Sequence, residues 1–217
     1  MNFLRAILFL FLYLIFGEII GLWVYIPGHF GVKVYSFHFF VTGFLFLCLI
    51  ILFLRYVKGR DYRFPQKTEL KWYLLALLLG VLYIPFQNLL NLPYDFLLND
   101  NNKIVFDFDG ISDLMKLNSF ATIILFPIAE ELFFRDFLLE GLKRKYSIIF
   151  SLFFSSLLFS IMHFPYAEII FDLQYSFNQL YITFFGGLIL GLVYLKSKSV
   201  GPPIVMHIFW NLFAVMV

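Results

Sequence analysis

The chain has 217 residues, of which 62% are hydrophobic, 22% aromatic and only 14% charged, with a net charge of +2. Globular chains carry about 25% charged and roughly 45–50% apolar residues, so the composition excludes an ordinary water-soluble domain and points to the membrane class. The small net charge argues against nucleic acid as a partner, and a single cysteine excludes a disulfide framework and a thiolate metal site.

In chain order, the first apolar stretch is MNFLRAILFLFLYLIFGEIIGLWVY. It is too long for a signal peptide and offers no small-residue cleavage site before Trp23 and Tyr25, so residues 4–26 are expected to remain as a span. Further apolar windows of about 18 or more residues predict spans over 35–56, 72–90, 119–141, 147–164, 177–196 and 201–217. The expected fold is all-α, a polytopic bundle of seven transmembrane helices occupying residues 1–217 as one domain. Cys48, in the second span, reads as a small buried hydrophobe. Tyr56 and Trp72 fall where interfacial aromatics anchor helix ends. The connection 91–118 carries Asp107, Asp109 and Asp113 without the spacing of a calcium loop, so a solvated acidic loop is expected. No internal repeat is evident, which argues against a transporter built from duplicated halves.

The cations are distributed unevenly. With a cytoplasmic N-terminus, the inner side holds Arg5, the six from Arg55 to Lys71, the three from Lys143 to Lys145, and Lys196 and Lys198, twelve in all; the outer side holds Lys33, Lys103 and Lys116. This bias predicts a cell-membrane protein oriented N-in and C-out.

Ionisable residues at bilayer depth cost about 2.5–3.5 kcal/mol each on insertion scales and are functional candidates by default. Here they are Glu18, His38, Glu130, Glu131, Arg135, Asp136, His163 and His207, with Asn88 and Asn211 as polar neutrals. Glu131 and Arg135 stand at i and i+4 with the acid first, the favourable order for an ion pair. Glu130 points about 100° away from Glu131 around the helix, and Phe134 occupies its own i+4 position. The doublet therefore splits into a paired, structural acid and an unpaired one suited to general-base work. His207 and Asn211 form a second i, i+4 pair, and Phe159 lies one turn before His163, where its ring can pack on the imidazole. Glu18 and His38 belong to no motif and read as interhelical hydrogen-bonding residues.

The ordered set EELFFR, FSIMH and HIFWN resembles the intramembrane endopeptidases that include the type II CAAX prenyl proteases and the bacteriocin-processing, abortive-infection-type bacterial proteins. The stretch FFGGLILGLVYLKSKSVGPPIVMHIFWN is similar to that family's Gly-rich sixth span, basic turn and final motif, so the resemblance covers roughly 119–217 as a protease-like core. It implies that Glu130, with His163, activates a water, that His207 and Asn211 stabilise the oxyanion, and that Glu131, Arg135 and Phe159 support them. It further implies a peptide or protein substrate at the lipid bilayer, with or without a lipid anchor, and no metal or other cofactor. Asp136 departs from the family, which often has a glycine there.

Three other readings compete. Two histidines and a glutamate are a known catalytic zinc set, but the usual His-Glu-x-x-His helix is absent. An inactive membrane scaffold of the same fold has no need of Glu130, His163, His207 and Asn211 together. A proton or ion transporter relaying through Glu130 and Glu18 is the third. The span boundaries set His207 nearer the inner face, Glu130 at mid-membrane and His163 towards the outer face, so convergence requires tilt or a kink near Pro127.

Overall fold

The structure, a computed structural model, describes residues 1–31, 33–99, 101–106, 109–164, 166 and 177–217; the side chains of Glu18 and of residues 22–29 lie outside the description. Among the described residues there are helices and no strands: α1 (Phe3–His29), α2 (Ser36–Lys58), α3 (Leu70–Leu98), α4 (Leu117–Lys143), α5 (Ile148–Met162), α6 (Asn178–Ser197) and α7 (Gly201–Met216), with a 3₁₀ turn at Asp109–Met115. Five of them, α1 to α4 and α6, are long and apolar enough to cross a membrane. With 15 and 16 residues, α5 and α7 span only about 22 and 24 Å at 1.5 Å per residue, short of a hydrocarbon core of about 30 Å.

The expected windows agree with the helices except at the third, where α3 continues through Pro93 to Leu98. Asn88, Asn91 and Asp95 recur on one helical face and clamp the following segment. Asn88 donates to the Ile104 carbonyl at 3.1 Å and accepts from its amide at 2.8 Å, Asn91 donates to the Asn102 carbonyl at 2.6 Å, and Asp95 accepts from the Asn102 side chain at 2.6 Å. Asn91 and Asp95, which read as loop, thus lie with Asn88 on a helix face that carries a loop. Beyond it, Asp113 accepts from Lys116 at 2.6 Å, which holds its carboxyl below the usual range; Asp107 lies outside the described residues.

Large apolar side chains such as Leu8, Phe11, Leu52, Leu74 and Leu89 are exposed on α1 to α3. So much exposed hydrocarbon has no place in water. Where only lipid covers the outside, helices associate by close packing through small residues. Gly80 of α3 approaches α7 so closely that a Cβ would lie 2.5 Å from the Met206 carbonyl oxygen, and on α6 a Cβ at Gly187 would meet Ser156 and Phe159 of α5. Cys48 is half-buried rather than buried, and Tyr56 is 90% exposed at the end of α2. The described Nδ1 contacts of His38 are local, to the Tyr35 amide and to the Tyr35 carbonyl, each at 3.2 Å.

One end of the bundle is laced together by the α2–α3 connection. Thr68 donates to the Ser197 carbonyl at 2.8 Å, Ser199 donates to the Gln66 carbonyl at 2.6 Å, and the Val200 amide donates to Gln66 Oε1 at 3.1 Å. The Phe3 amide donates to Tyr146 Oη at 3.2 Å, which brings the start of α1 to the α4–α5 turn. This end collects the cations assigned above to the inner side. At the opposite end Asn178 donates to Asn91 at 3.0 Å, and Gly110 packs on the Val215 carbonyl.

Asp136, unexplained by sequence, belongs to the lacing. It is buried, pairs with Lys58 Nζ at 2.6 Å, and accepts from the Tyr62 hydroxyl. The Tyr62 phenol is pushed up by burial and by this bond, so it stays a donor. Lys58 also donates to the Asp136 backbone carbonyl at 2.7 Å. A glycine at this position could make none of the side-chain contacts.

Candidate active site

Helix α4 is not uniformly wound. Ala121–Leu125 and Leu132–Leu139 are π-helical and flank the regular turn Phe126–Glu131; such π stretches frequently mark functional sites. The Phe126 amide bonds to the Ala121 carbonyl, five residues back, so the next bond in that register would run from residue 127 to Thr122. Residue 127 is proline and has no N–H to give. The Thr122 carbonyl is instead taken by α7, where Asn211 Nδ2 donates to it at 2.9 Å. The proline therefore acts by freeing an acceptor for an asparagine on another helix.

One turn further, Glu131 and Arg135 are both fully buried, with Arg135 Nε donating to Glu131 Oε2 at 3.0 Å. Arg135 also lies 4.9 Å from the centre of the Phe159 ring, a cation–π contact, and reaches Ser155 at 3.5 Å. The second Glu131 oxygen, Oε1, accepts from His207 Nδ1 at 3.0 Å. The other face of that imidazole looks at Glu130, with Nε2 3.7 Å from Glu130 Oε2. His207 is thus bracketed by both members of the glutamate doublet. The expectation that Glu130 has no partner holds along its own helix but not across the bundle.

His207 is held from two further sides. Trp210, one turn on, stacks against it with ring centres 5.3 Å apart and 29° between planes, and Phe159 meets it edge-on at 5.8 Å. Trp210 is wedged by Tyr83 at 4.4 Å and by Gly186, where a Cβ would lie 2.5 Å from the indole. His163 caps the C-terminus of α5. Its Nδ1 is 3.0 Å from the Phe159 carbonyl oxygen, which can only accept, so Nδ1 carries a proton and Nε2 of the neutral ring is left as an acceptor. Phe159 contacts His163 at 4.9 Å as well, so one ring packs on Arg135, His163 and His207.

Glu130, His163, His207 and Asn211 line one cavity of about 350 Å³, together with Gln87, Thr122, Phe126, Gln179, Thr183 and Trp210. The difference in depth expected from counting along the spans is removed by the short helices. The start of α7 does not reach a surface: Val200 and Gly201 are buried, with Gly201 packed beneath Tyr73, so His207 lies deep. The end of α5 lies inside the bundle, where His163 is half-buried.

Residues 113–213 match the sequence model of the type II CAAX prenyl endopeptidases, Rce1-like. This segment is similar to the Rce1-like domain. No curated protein and no solved structure matches the chain. Rce1-like proteins are membrane proteases, so the apolar helices and the polar cavity belong together: peptide-bond hydrolysis at a bilayer needs a site that lipid surrounds and water enters. The Rce1-like segment takes in α4 to α7, the helices that carry Glu130, Glu131, Arg135, Phe159, His163, His207 and Asn211, while Gln87 and Tyr83 reach the site from α3, outside it. Neither these two, Trp210, nor the Glu131–His207 bond stood out in the sequence. Gln87, Tyr83 and Trp210 belong to no motif, and Glu131 and His207 are 76 positions apart.

Proposed function

We propose that the chain is an intramembrane endopeptidase that hydrolyses a peptide bond of a membrane-associated polypeptide without a metal ion. Glu130 takes a proton from a water whose other side faces His163 Nε2, and the hydroxide oxygen attacks the scissile carbonyl carbon. Negative charge develops on the carbonyl oxygen, where Asn211 Nδ2 gives its second hydrogen, the first being held by Thr122. With Nδ1–H committed to Glu131, His207 donates to the same oxygen through Nε2 when both ring nitrogens are protonated. Collapse of the tetrahedral species breaks the C–N bond as Glu130 returns its proton to the leaving amine. Glu131 and Arg135 act through His207: the fixed pair sets the ring's orientation, as an orienting carboxylate does elsewhere. The chain crosses the membrane seven times with its N-terminus inside, the two short helices reaching partway and being completed by their flanking segments.

The observation that carries this reading is the convergence of a carboxylate, two imidazoles and a carboxamide from α4, α5 and α7 on one cavity. Comparing membrane peptides by mass spectrometry between cells making the wild-type chain and the Glu130→Gln chain tests it. Peptides whose termini depend on Glu130 are expected, and an identical peptide pattern with equal protein abundance refutes it and favours the scaffold.

A further inference from the structure

Tyr83, Gln87 and Asn91 stand one helical turn apart on one face of α3. The outer two are anchored to α6. The Tyr83 hydroxyl donates to the Ile182 carbonyl at 2.6 Å while its ring wedges Trp210, and Asn91 accepts from Asn178 Nδ2 at 3.0 Å. Gln87 is therefore pinned between two cross-helix bonds. It is 8% exposed and lines the cavity that holds Glu130.

Two hydroxyls of that wall are already engaged. Thr122 donates to the Asn118 carbonyl at 3.1 Å and Thr183 to the Gln179 carbonyl at 2.6 Å, each four residues back on its own helix. Asn211 gives one hydrogen to the Thr122 carbonyl. The Gln87 carboxamide differs: it makes no hydrogen bond to the described residues and is not sealed among apolar side chains. A carboxamide kept from bulk water and left unpaired is costly, so this one is satisfied by what the cavity takes in. Water serves at rest, and substrate replaces it.

We infer that Gln87 is a substrate-binding residue whose carboxamide grips the backbone N–H and C=O of one residue beside the scissile bond, so that the substrate lies extended there and proline is refused at that position. Nε2 supplies the donor and Oε1 the acceptor. An extended residue turns its own N–H and C=O to the same side, as residues that exchange both bonds across an antiparallel pair do. A cavity of about 350 Å³ is roughly 7 Å across, and extended chain advances about 3.3 Å per residue, so the gripped residue lies within about two positions of the bond that Glu130 attacks. Any side chain but proline leaves the required N–H in place, which makes the grip blind to side-chain chemistry. Gln87 lies outside residues 113–213, so α3 adds this contact to the machinery of the Rce1-like segment. The inference rests on the proposed proteolysis, and the two fail in different ways.

Membrane peptides are compared between cells making the wild-type, Glu130→Gln and Gln87→Met chains, which identifies a cleavage site that depends on Glu130. Gln87→Met keeps the length of the side chain and removes both polar atoms; gel filtration confirms that it folds. A synthetic peptide spanning the site is then incubated with the purified wild-type and Gln87→Met chains, with proline placed in turn at each residue flanking the scissile bond. Loss of two neutral hydrogen bonds should lower kcat/KM about 10-fold in Gln87→Met. Proline at one flanking position should cost the wild-type chain a similar factor and cost Gln87→Met nothing further, because the bond it breaks is already gone. Equal processing per folded molecule by wild type and Gln87→Met overturns the inference. So do proline losses that multiply with the Gln87→Met loss at every position, which would make Gln87 a structural residue. A peptide pattern unchanged in the Glu130→Gln chain removes the protease and the grip together, whereas a pattern that depends on Glu130 and ignores Gln87 removes the grip alone.

Discussion

Replacing Glu131 by leucine removes the acid from a pair in which both side chains are completely buried and 3.0 Å apart. Arg135 cannot lose its charge, and its remaining contacts are a 3.5 Å approach to Ser155 and the Phe159 ring. Leaving one member of a buried pair without the other costs about 3–5 kcal/mol, a large share of a total stability of about 5–15 kcal/mol. At about 1.4 kcal/mol per decade, the folded-to-unfolded ratio falls by roughly 10²- to 4 × 10³-fold. A second substitution separates structure from chemistry. Glu131→Leu combined with Arg135→Met replaces the pair with apolar side chains of similar size, which is often neutral or stabilising, while His207 Nδ1 still lacks its acceptor. In detergent, gel filtration and thermal aggregation should show a severe loss for Glu131→Leu and substantial recovery in the double variant. Peptide processing should stay low in both. A single variant as stable as wild type would refute the strut, and a double variant that regains full processing would refute the orienting role of Glu131.

Gly186→Ala places a methyl group against the Trp210 indole; overpacking of this kind costs about 1–3 kcal/mol. Because Trp210 stacks on His207, processing should fall by more than the loss of folded protein explains, measured as activity per folded molecule. For the metal-free mechanism, a chelator should leave processing by the purified chain unchanged, and loss with recovery on adding zinc would move the chemistry to a metal.

Much of the bundle was legible because its signals are local. Apolar windows reported the helices, and a four-residue spacing on a 3.6-residue helix reported the Glu131–Arg135 pair. The extension of α3 was not legible, since Asn91, Pro93 and Asp95 fell in the expected 91–118 loop, while Asn88 fell inside the expected span. The folded segment 101–106, together with Asn178, supplies the partners that let Asn91 and Asp95 lie on a helix. Asp136 was opaque for the same reason, its partners Lys58 and Tyr62 being on another helix and its connection.

By itself the sequence determined that the chain belongs in a membrane, which residues are too polar to sit there idly, and which acid has a neighbour on its own helix. The tertiary structure decided what the remaining polar groups face. His207 turns one nitrogen to Glu131 and the other towards Glu130, and Asn211 fills the bond that Pro127 leaves open. Those contacts depend on how deeply the short helices α5 and α7 are set. Close packing around Gly80, Gly186 and Gly187 fixes that depth, and residue order along a single helix does not encode it.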